Sequence, residues 1–171
     1  MKKIVTYLIL FIIISIIALI IILSTTGIET NKFNKLITEK TSQAKNIDLN
    51  LKTIKFKINP KEISLFLETQ NPDIIYKELS IPVKNIKVYI DFFSFVKSDP
   101  KIKKISIASE EVNIIQLTKL SSIIKPSTFK SLLNNKIKEG KLISEIEIFI
   151  NDDGFIKNFI AKGTVKDLRV E

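Results

Sequence analysis

The sequence contains no histidine, cysteine or tryptophan, and it has only four glycines among 171 residues. Zinc sites built on Cys or His, and Ser-His-Asp or Cys-His nucleophiles, lack their obligatory residues. Disulfide frameworks need paired cysteines, and phosphate-binding loops need several closely spaced glycines. The composition excludes these kinds of site, and we expect no enzyme, no catalytic residue, no metal and no cofactor.

Arginine is also nearly absent. The net charge is +9, yet Arg169 is the only arginine among 27 basic residues, and the lysines are interleaved with 18 acidic residues. Nucleic-acid recognition favours guanidinium groups combined with aromatic platforms, so the composition argues against a nucleic-acid partner. Attraction to an anionic lipid surface is the better functional interpretation of the basic balance.

Residues 4–23 form an apolar run without a single charge. As a helix rising about 1.5 Å per residue, this run would cross the roughly 30 Å hydrocarbon core of a bilayer. A cleaved signal peptide is the rival interpretation, but its apolar core would be only about 7 to 15 residues long, followed by a small-x-small cleavage site. Residues 24–27, STTG, match such a site poorly. We therefore predict an uncleaved, single-pass signal anchor over residues 1–23.

Lys2 and Lys3 precede the apolar run and predict its orientation. By the positive-inside rule the short N-terminus lies in the cytoplasm. In a bacterial inner membrane the remaining chain would then lie in the periplasm.

After the anchor, residues 24–45 have the spacing of a mildly amphipathic helix, which predicts a stem leaving the bilayer. From residue 46 onward the apolar period changes to two, which is typical of strands. One long strand is predicted over residues 47–58 with a bulge near Thr53, and a thirteen-residue strand over residues 79–91 with a shift near Lys84.

The second half combines helical and strand patterns. Residues 92–96 predict a helical turn, and residues 117–137 predict two helices separated by Pro126. A hairpin turn is predicted at residues 151–154, followed by a strand over residues 155–170 that is interrupted at Gly163.

Together these patterns predict an α+β protein. It has an N-terminal transmembrane helix, then a long-stranded, curved antiparallel sheet with an apolar concave face and two or three helices. Residues 46–171 would form this sheet domain. Two interpretations of the concave face stay open: the helices fill it completely, or it remains an apolar trough for a ligand.

The layout of anchor, short helix and alternating strands resembles the start of AsmA-like proteins. The resemblance rests on residues 86–95 (IKVYIDFFSF), 100–107 (PKIKKISI) and 163–168 (GTVKDL). It implies a bacterial inner-membrane protein with a periplasmic β-groove, related in architecture to bridge-like lipid transfer proteins. The implied function is phospholipid transport or outer-membrane assembly. Members of that family are usually several times longer, so we expect either the first segment of a longer groove or a short relative that needs partners.

A groove of this kind would bind a phospholipid or another acyl lipid through its apolar lining. Each lining residue taken alone also fits ordinary core packing. A mouth near the inner membrane is predicted at Phe92, Phe93 and Phe95. The predicted groove lining consists of Leu65, Leu67, Leu79, Ile81, Val83, Ile86, Val88, Ile90, Ile105, Ile107, Ile146 and Ile148.

The alternative function belongs to another class. An anchored periplasmic scaffold or assembly factor would bind an envelope protein partner through its sheet and carry no lipid.

Overall fold

The first helix, α1 (Lys2–Thr25), is apolar on all sides. Its large apolar side chains from Ile4 to Ile22 are 41% to 72% exposed, and only Leu23, near its C-terminal end, is buried. A helix that is apolar all round needs either a protein core or a membrane around it, and the described residues form no protein core around this one. Lys3–Thr25 is therefore long and apolar enough to span a membrane, which agrees with the predicted anchor helix.

The rest of the protein is dominated by one large antiparallel sheet, and the predicted α+β fold class is confirmed. This computed structural model describes residues 2–30, 47–51, 53–62, 64–97, 99–124 and 137–170. The main sheet has the strand order β1-β3-β4-β7-β8-β10-β11, and β9 pairs with β10. Its strands are β1 (Ile28–Thr30), β3 (Ile54–Asn59), β4 (Ser64–Gln70), β7 (Val83–Ile90), β8 (Ile102–Ser109), β9 (Val112–Asn113), β10 (Ile137–Ile150) and β11 (Ile156–Val170).

A second, smaller antiparallel sheet has the order β2-β5-β6. Two further helices complete the described fold. The bounds of these elements are β2 (Ile47–Asn50), β5 (Asp73–Tyr76), β6 (Leu79–Ile81), α2 (Phe92–Val96) and α3 (Ile114–Ile124).

Strand register separates the main sheet into an apolar and a polar face. Residues directly opposite each other in neighbouring strands point to the same face. Leu67 lies opposite both Phe56 and Val88, whereas Glu68 lies opposite Lys55 and Lys87. On the apolar face the buried core consists of Ile54, Leu65, Leu67 and Ile90.

The stem helix is not present where the structure describes it. Residues 28–30 form β1, which pairs with β3 instead of continuing a helix. Gly27, with φ +72°, turns the chain into this strand, because a left-handed backbone conformation suits glycine. The remainder of the predicted stem, residues 31–45, lies outside the described residues.

Both predicted long strands are wrong in the same way. Residues 47–58 form β2 and β3, which belong to different sheets, so the shift near Thr53 marks a crossing and not a bulge. The 79–91 segment likewise divides at Pro82 into β6 and β7. A register shift between Val83 and Asn85 does confirm an irregularity near Lys84. The sequence prediction also missed β5.

The second half of the chain agrees better with the sequence prediction. The helical turn α2 and the turn at residues 151–154 are confirmed, and α3 covers the first of the two predicted helices. Asn113 and Gln116 cap α3 reciprocally, since each backbone N–H donates to the other's side-chain oxygen, at 3.2 and 2.9 Å. Ile137 begins a strand instead of ending a helix, and β11 passes through Gly163 without interruption. Pro126 and the second predicted helix lie outside the described residues.

Candidate functional site

An apolar pocket of about 430 Å³ lies against the apolar face of the main sheet. Strands β4, β7 and β8 carry most of its lining, because their inward side chains alternate with polar side chains that point to the opposite face. Leu49 of β2 and the neighbouring Leu51 contribute from outside the main sheet, and Pro100 contributes from the segment before β8. The described lining consists of Leu49, Leu51, Ile54, Leu67, Glu68, Thr69, Ile86, Val88, Ile90, Pro100, Ile102, Ile105 and Ile107.

Two of these lining residues are polar, and they differ in role. Glu68 directs its carboxylate to the polar face, where Lys57 and Lys87 lie. Thr69 lies opposite Ile54 and Ile86 on the apolar face, and its buried hydroxyl has no hydrogen-bond partner in the described part of the chain. A ligand in this pocket would thus contact an almost entirely aliphatic surface.

Half of the predicted groove lining meets in this pocket. Three more predicted residues share its face: Leu65 is buried in the core, while Ile146 and Ile148 on β10 lie opposite Ile107 and Ile105. The six predicted residues that line the pocket are Leu67, Ile86, Val88, Ile90, Ile105 and Ile107.

The structure separates the other three predicted residues from this site. Leu79, Ile81 and Val83 line a different recess of about 560 Å³, where Glu110 and Lys119 also lie. The chain passes from the smaller sheet to the main sheet at Pro82, between β6 and β7. Leu79 and Ile81 therefore belong to the smaller sheet.

Sequence reasoning missed five apolar members of the pocket lining, as well as Glu68 and Thr69. Leu49 and Leu51 alternate with Asp48 and Asn50, which is a detectable strand signal, but the pattern does not show which sheet the strand joins. The other missed apolar residues are Ile54, Pro100 and Ile102.

The polar face of the sheet is a network of ion pairs. Glu68 is only 6% exposed, and its Oε2 lies 2.7 Å from Lys57 Nζ. This contact is an ion pair and not an aligned hydrogen bond, because Oε2 has no hydrogen-bond partner by geometry. Lys87 Nζ lies 3.8 Å from the other carboxylate oxygen. Glu68 therefore attracts both lysines, although its single charge balances only one of their two positive charges.

A second pair continues the network on β8 and β10. Lys104 Nζ donates to Glu147 Oε1 at 2.8 Å and lies 4.4 Å from the centre of the Tyr89 ring. Burial disfavours the charged amine, but the hydrogen bond to Glu147 helps to hold the pKa of Lys104 above its usual value. Burial also raises the pKa of Tyr89. Lys57, Lys87 and Lys104 therefore each have an acidic partner on this face of the sheet.

Glu110 and Glu111 are adjacent acids in the chain, and Glu111 has an ordinary structural role. Glu111 Oε1 lies 2.8 Å from Lys141 Nζ, and this hydrogen bond lowers the pKa of the carboxyl group. Across the described ranges, no group of three or more His, Cys, Asp or Glu residues is placed to hold a metal ion.

The three phenylalanines of the predicted mouth lie on α2, next to the point where α1 joins the sheet. Phe95 and Phe56 have ring centres 5.9 Å apart, and Phe56 lies opposite Ile28, the first residue of β1. Phe92 and Phe93 meet edge to face at 5.8 Å. These rings are not among the described lining residues of the apolar pocket.

Asp91 fixes the start of α2. Ser94 N donates to Asp91 Oδ1 at 2.7 Å, and Lys103 forms an ion pair with the other carboxylate oxygen. Both contacts favour the charged form, and the hydrogen bond from Lys103 is the larger cause of the lowered pKa of Asp91. The cap holds the phenylalanine-bearing turn against the end of β7.

Comparison of the chain with protein-family models, curated proteins and solved structures finds no match.

Proposed function

We propose that this is a membrane-anchored lipid-binding protein whose apolar pocket shelters an acyl chain. The observation that carries the proposal is the pocket of about 430 Å³ with its almost entirely aliphatic lining. Such a surface matches a hydrocarbon tail better than any polar metabolite. The presence of a span-length apolar helix in the same chain supplies a source of lipid.

The energetics suit reversible binding. Each Å² of apolar surface removed from water contributes about 25 cal/mol, so sheltering a few hundred Å² of a tail contributes several kcal/mol. That is enough to load a lipid and weak enough to release it.

The cellular setting is part of the proposal. Lys2 and Lys3 before α1 favour a cytoplasmic N-terminus, which would place the sheet in the periplasm of a bacterial inner membrane. The AsmA-like resemblance favours a role in phospholipid transport or outer-membrane assembly. A bound phospholipid or other acyl lipid, and envelope proteins that extend the groove, would be the partners.

Site-specific photocrosslinking in cells tests the lipid proposal on the full chain. A photoreactive side chain at Ile86, which lines the pocket, should form lipid adducts detectable by mass spectrometry. The matched control is Lys87, the next residue along β7, which points to the polar face. Equal lipid labelling at both positions, or none at Ile86, would contradict lipid binding in the pocket.

A variant that fills the apolar pocket gives a second test of lipid binding there. Ile107→Trp places a larger side chain in the pocket from β8 and should reduce lipid labelling at Ile86 while the β-sheet circular dichroism is kept. Undiminished labelling would show that the lipid lies elsewhere.

A second candidate function is an anchored scaffold, and one observation favours it. The fifteen-residue strand β11 pairs only with β10 among the described strands, and all of its residues are exposed. An open edge of this length is a template for adding a strand from a partner protein. A photoreactive group at Val165 should then capture protein, and Ile86 should give no lipid adduct.

A further inference from the structure

The strand register assigns each loop of the main sheet to one of its two ends. Asn59 pairs with Ser64, Leu65 with Ile90, and Ile90 with Ile102, so these residues share one end. Strand β1 starts from that side, because Ile28 lies opposite Phe56 and Thr30 opposite Ile54. We call this the anchor end, and it consists of residues 60–62, 91–97, 99–103 and 151–157, which include the first residues of β8 and β11.

Exposed aromatic side chains concentrate at the anchor end. Phe93 on α2 is 70% exposed, and Phe155, at the end of the β10–β11 turn, is 72% exposed. The two elements lie side by side, because Phe93, Lys97 and Asp152 line one recess of about 370 Å³. Phe95 packs on Phe56 of β3, which lies opposite Ile28, three residues after the end of α1.

The charges at this end balance. Aromatic side chains favour the interfacial layer of a bilayer, where the ring is sheltered and charged neighbours stay hydrated. With equal numbers of acids and bases, such contact needs no anionic lipid. The anchor-end bases are Lys61, Lys97, Lys101, Lys103 and Lys157, and the acids are Glu62, Asp91, Asp99, Asp152 and Asp153.

We infer that Phe93 and Phe155 insert into the interfacial layer of the bilayer that α1 crosses. The sheet then touches the membrane at α1, at α2 and at the β10–β11 turn. The bilayer is the occupant because the exposed rings are continuous with the helix that enters it. This inference rests on α1 spanning a membrane and does not depend on a lipid occupying the apolar pocket.

Tryptophan fluorescence tests this contact, because the natural chain contains no tryptophan. The full-length Phe93→Trp and Phe155→Trp variants are reconstituted separately into phosphatidylcholine vesicles, with or without bromine atoms on the acyl chains. We expect brominated lipid to quench most of the emission of both variants.

The control is Ile115→Trp, which replaces a 66% exposed residue on α3. Helix α3 follows β9, which pairs with Lys141 and Leu142 at the other end of β10. Leu142 and Ile150 are eight residues apart, roughly 26 Å along a strand. Emission from Ile115→Trp should therefore survive in brominated vesicles.

Three results would overturn the inference. One is quenching of Phe155→Trp no stronger than that of Ile115→Trp, in variants that keep the same β-sheet circular dichroism. The second is an unquenched Phe93→Trp variant. The third is quenching that appears only when phosphatidylglycerol is added, since the balanced charges predict equal quenching in neutral and anionic vesicles. Loss of lipid crosslinking at Ile86 would leave all of these results unchanged, so the two proposals can fail separately.

Discussion

Truncating one residue in the core and one in the pocket should have very different costs. Leu65 and Ile107 both belong to the apolar face of the main sheet. Leu65 is 3% exposed and packs in the buried core without lining the pocket, whereas Ile107 is half-buried and lines it. Truncation to alanine removes three carbons at either position and therefore compares a filled site with an open one.

The expected magnitudes follow from what each side chain touches. Leu65→Ala removes three buried carbons worth about 0.8 kcal/mol each and leaves a new cavity, for a total of about 3 to 4 kcal/mol. Ile107→Ala enlarges a space of about 430 Å³ that already exists, so little packing is lost. We expect a cost of about 1 kcal/mol for this second variant, because it loses only part of the transfer term.

Urea unfolding of the full chain in detergent, followed by far-ultraviolet circular dichroism, measures both costs. The wild-type and variant transitions should have the same slope, so that midpoints report free energies of unfolding. Equal losses at Leu65 and Ile107 would refute the open pocket, because they would show that Ile107 is packed as tightly as the core.

Three other perturbations test separate parts of the structure. Thr69→Val should raise the free energy of unfolding by about 1 kcal/mol, because it removes a buried hydroxyl without a partner in the described residues; a loss would reveal a hidden partner. Glu68→Ala should cost about 3 kcal/mol in urea unfolding by stranding buried Lys57, whereas Glu29→Ala, which breaks an exposed pair, should cost below about 0.5 kcal/mol. The folded chain holds the Tyr89 proton more tightly than the unfolded chain, so stability should be fully kept below the ordinary value of 10.0 and fall as pH rises through the higher folded pKa. Tyrosinate absorbance should show that Tyr89 ionises at a higher pH in the folded chain than in the unfolded chain. Ionisation of Tyr89 at the ordinary pKa in the folded chain would contradict its burial.

The apolar alternation predicted most of the strand-forming segments but neither all of the strands nor their partners. A change of parity in an alternating run has two physical origins: a bulge within one strand, or a crossing between two sheets. At Lys84 a register shift does occur, but at Thr53 the chain changes sheets. Because the side chains on either side look the same in both cases, local sequence could not distinguish them.

The predicted boundary between helix and strand was wrong where the sequence fits both the helical period and the strand period. Ile137 follows Leu133 at helical spacing, yet it begins the fourteen-residue strand β10. Pairing with β11 on one side, and with β8 and β9 on the other, decides the structure there, and such long-range pairing overrides local preference.

The pocket was predictable only in part for a related reason. Ile86, Val88, Ile105 and Ile107 could be assigned to one face because they lie on neighbouring strands with clear alternation. Leu49 reaches the same space from the smaller sheet, which is a tertiary arrangement that no local pattern encodes.

The connection between α1 and β1 consists of only Thr26 and Gly27, and a side chain at Gly27 would collide with Lys57 and with the Phe56 carbonyl. Such a short and closely packed connection gives the helix little freedom to move independently of the sheet. If α1 crosses a bilayer, a tilt of the helix would turn the sheet with it, so a change in bilayer thickness would change the angle at which the domain stands.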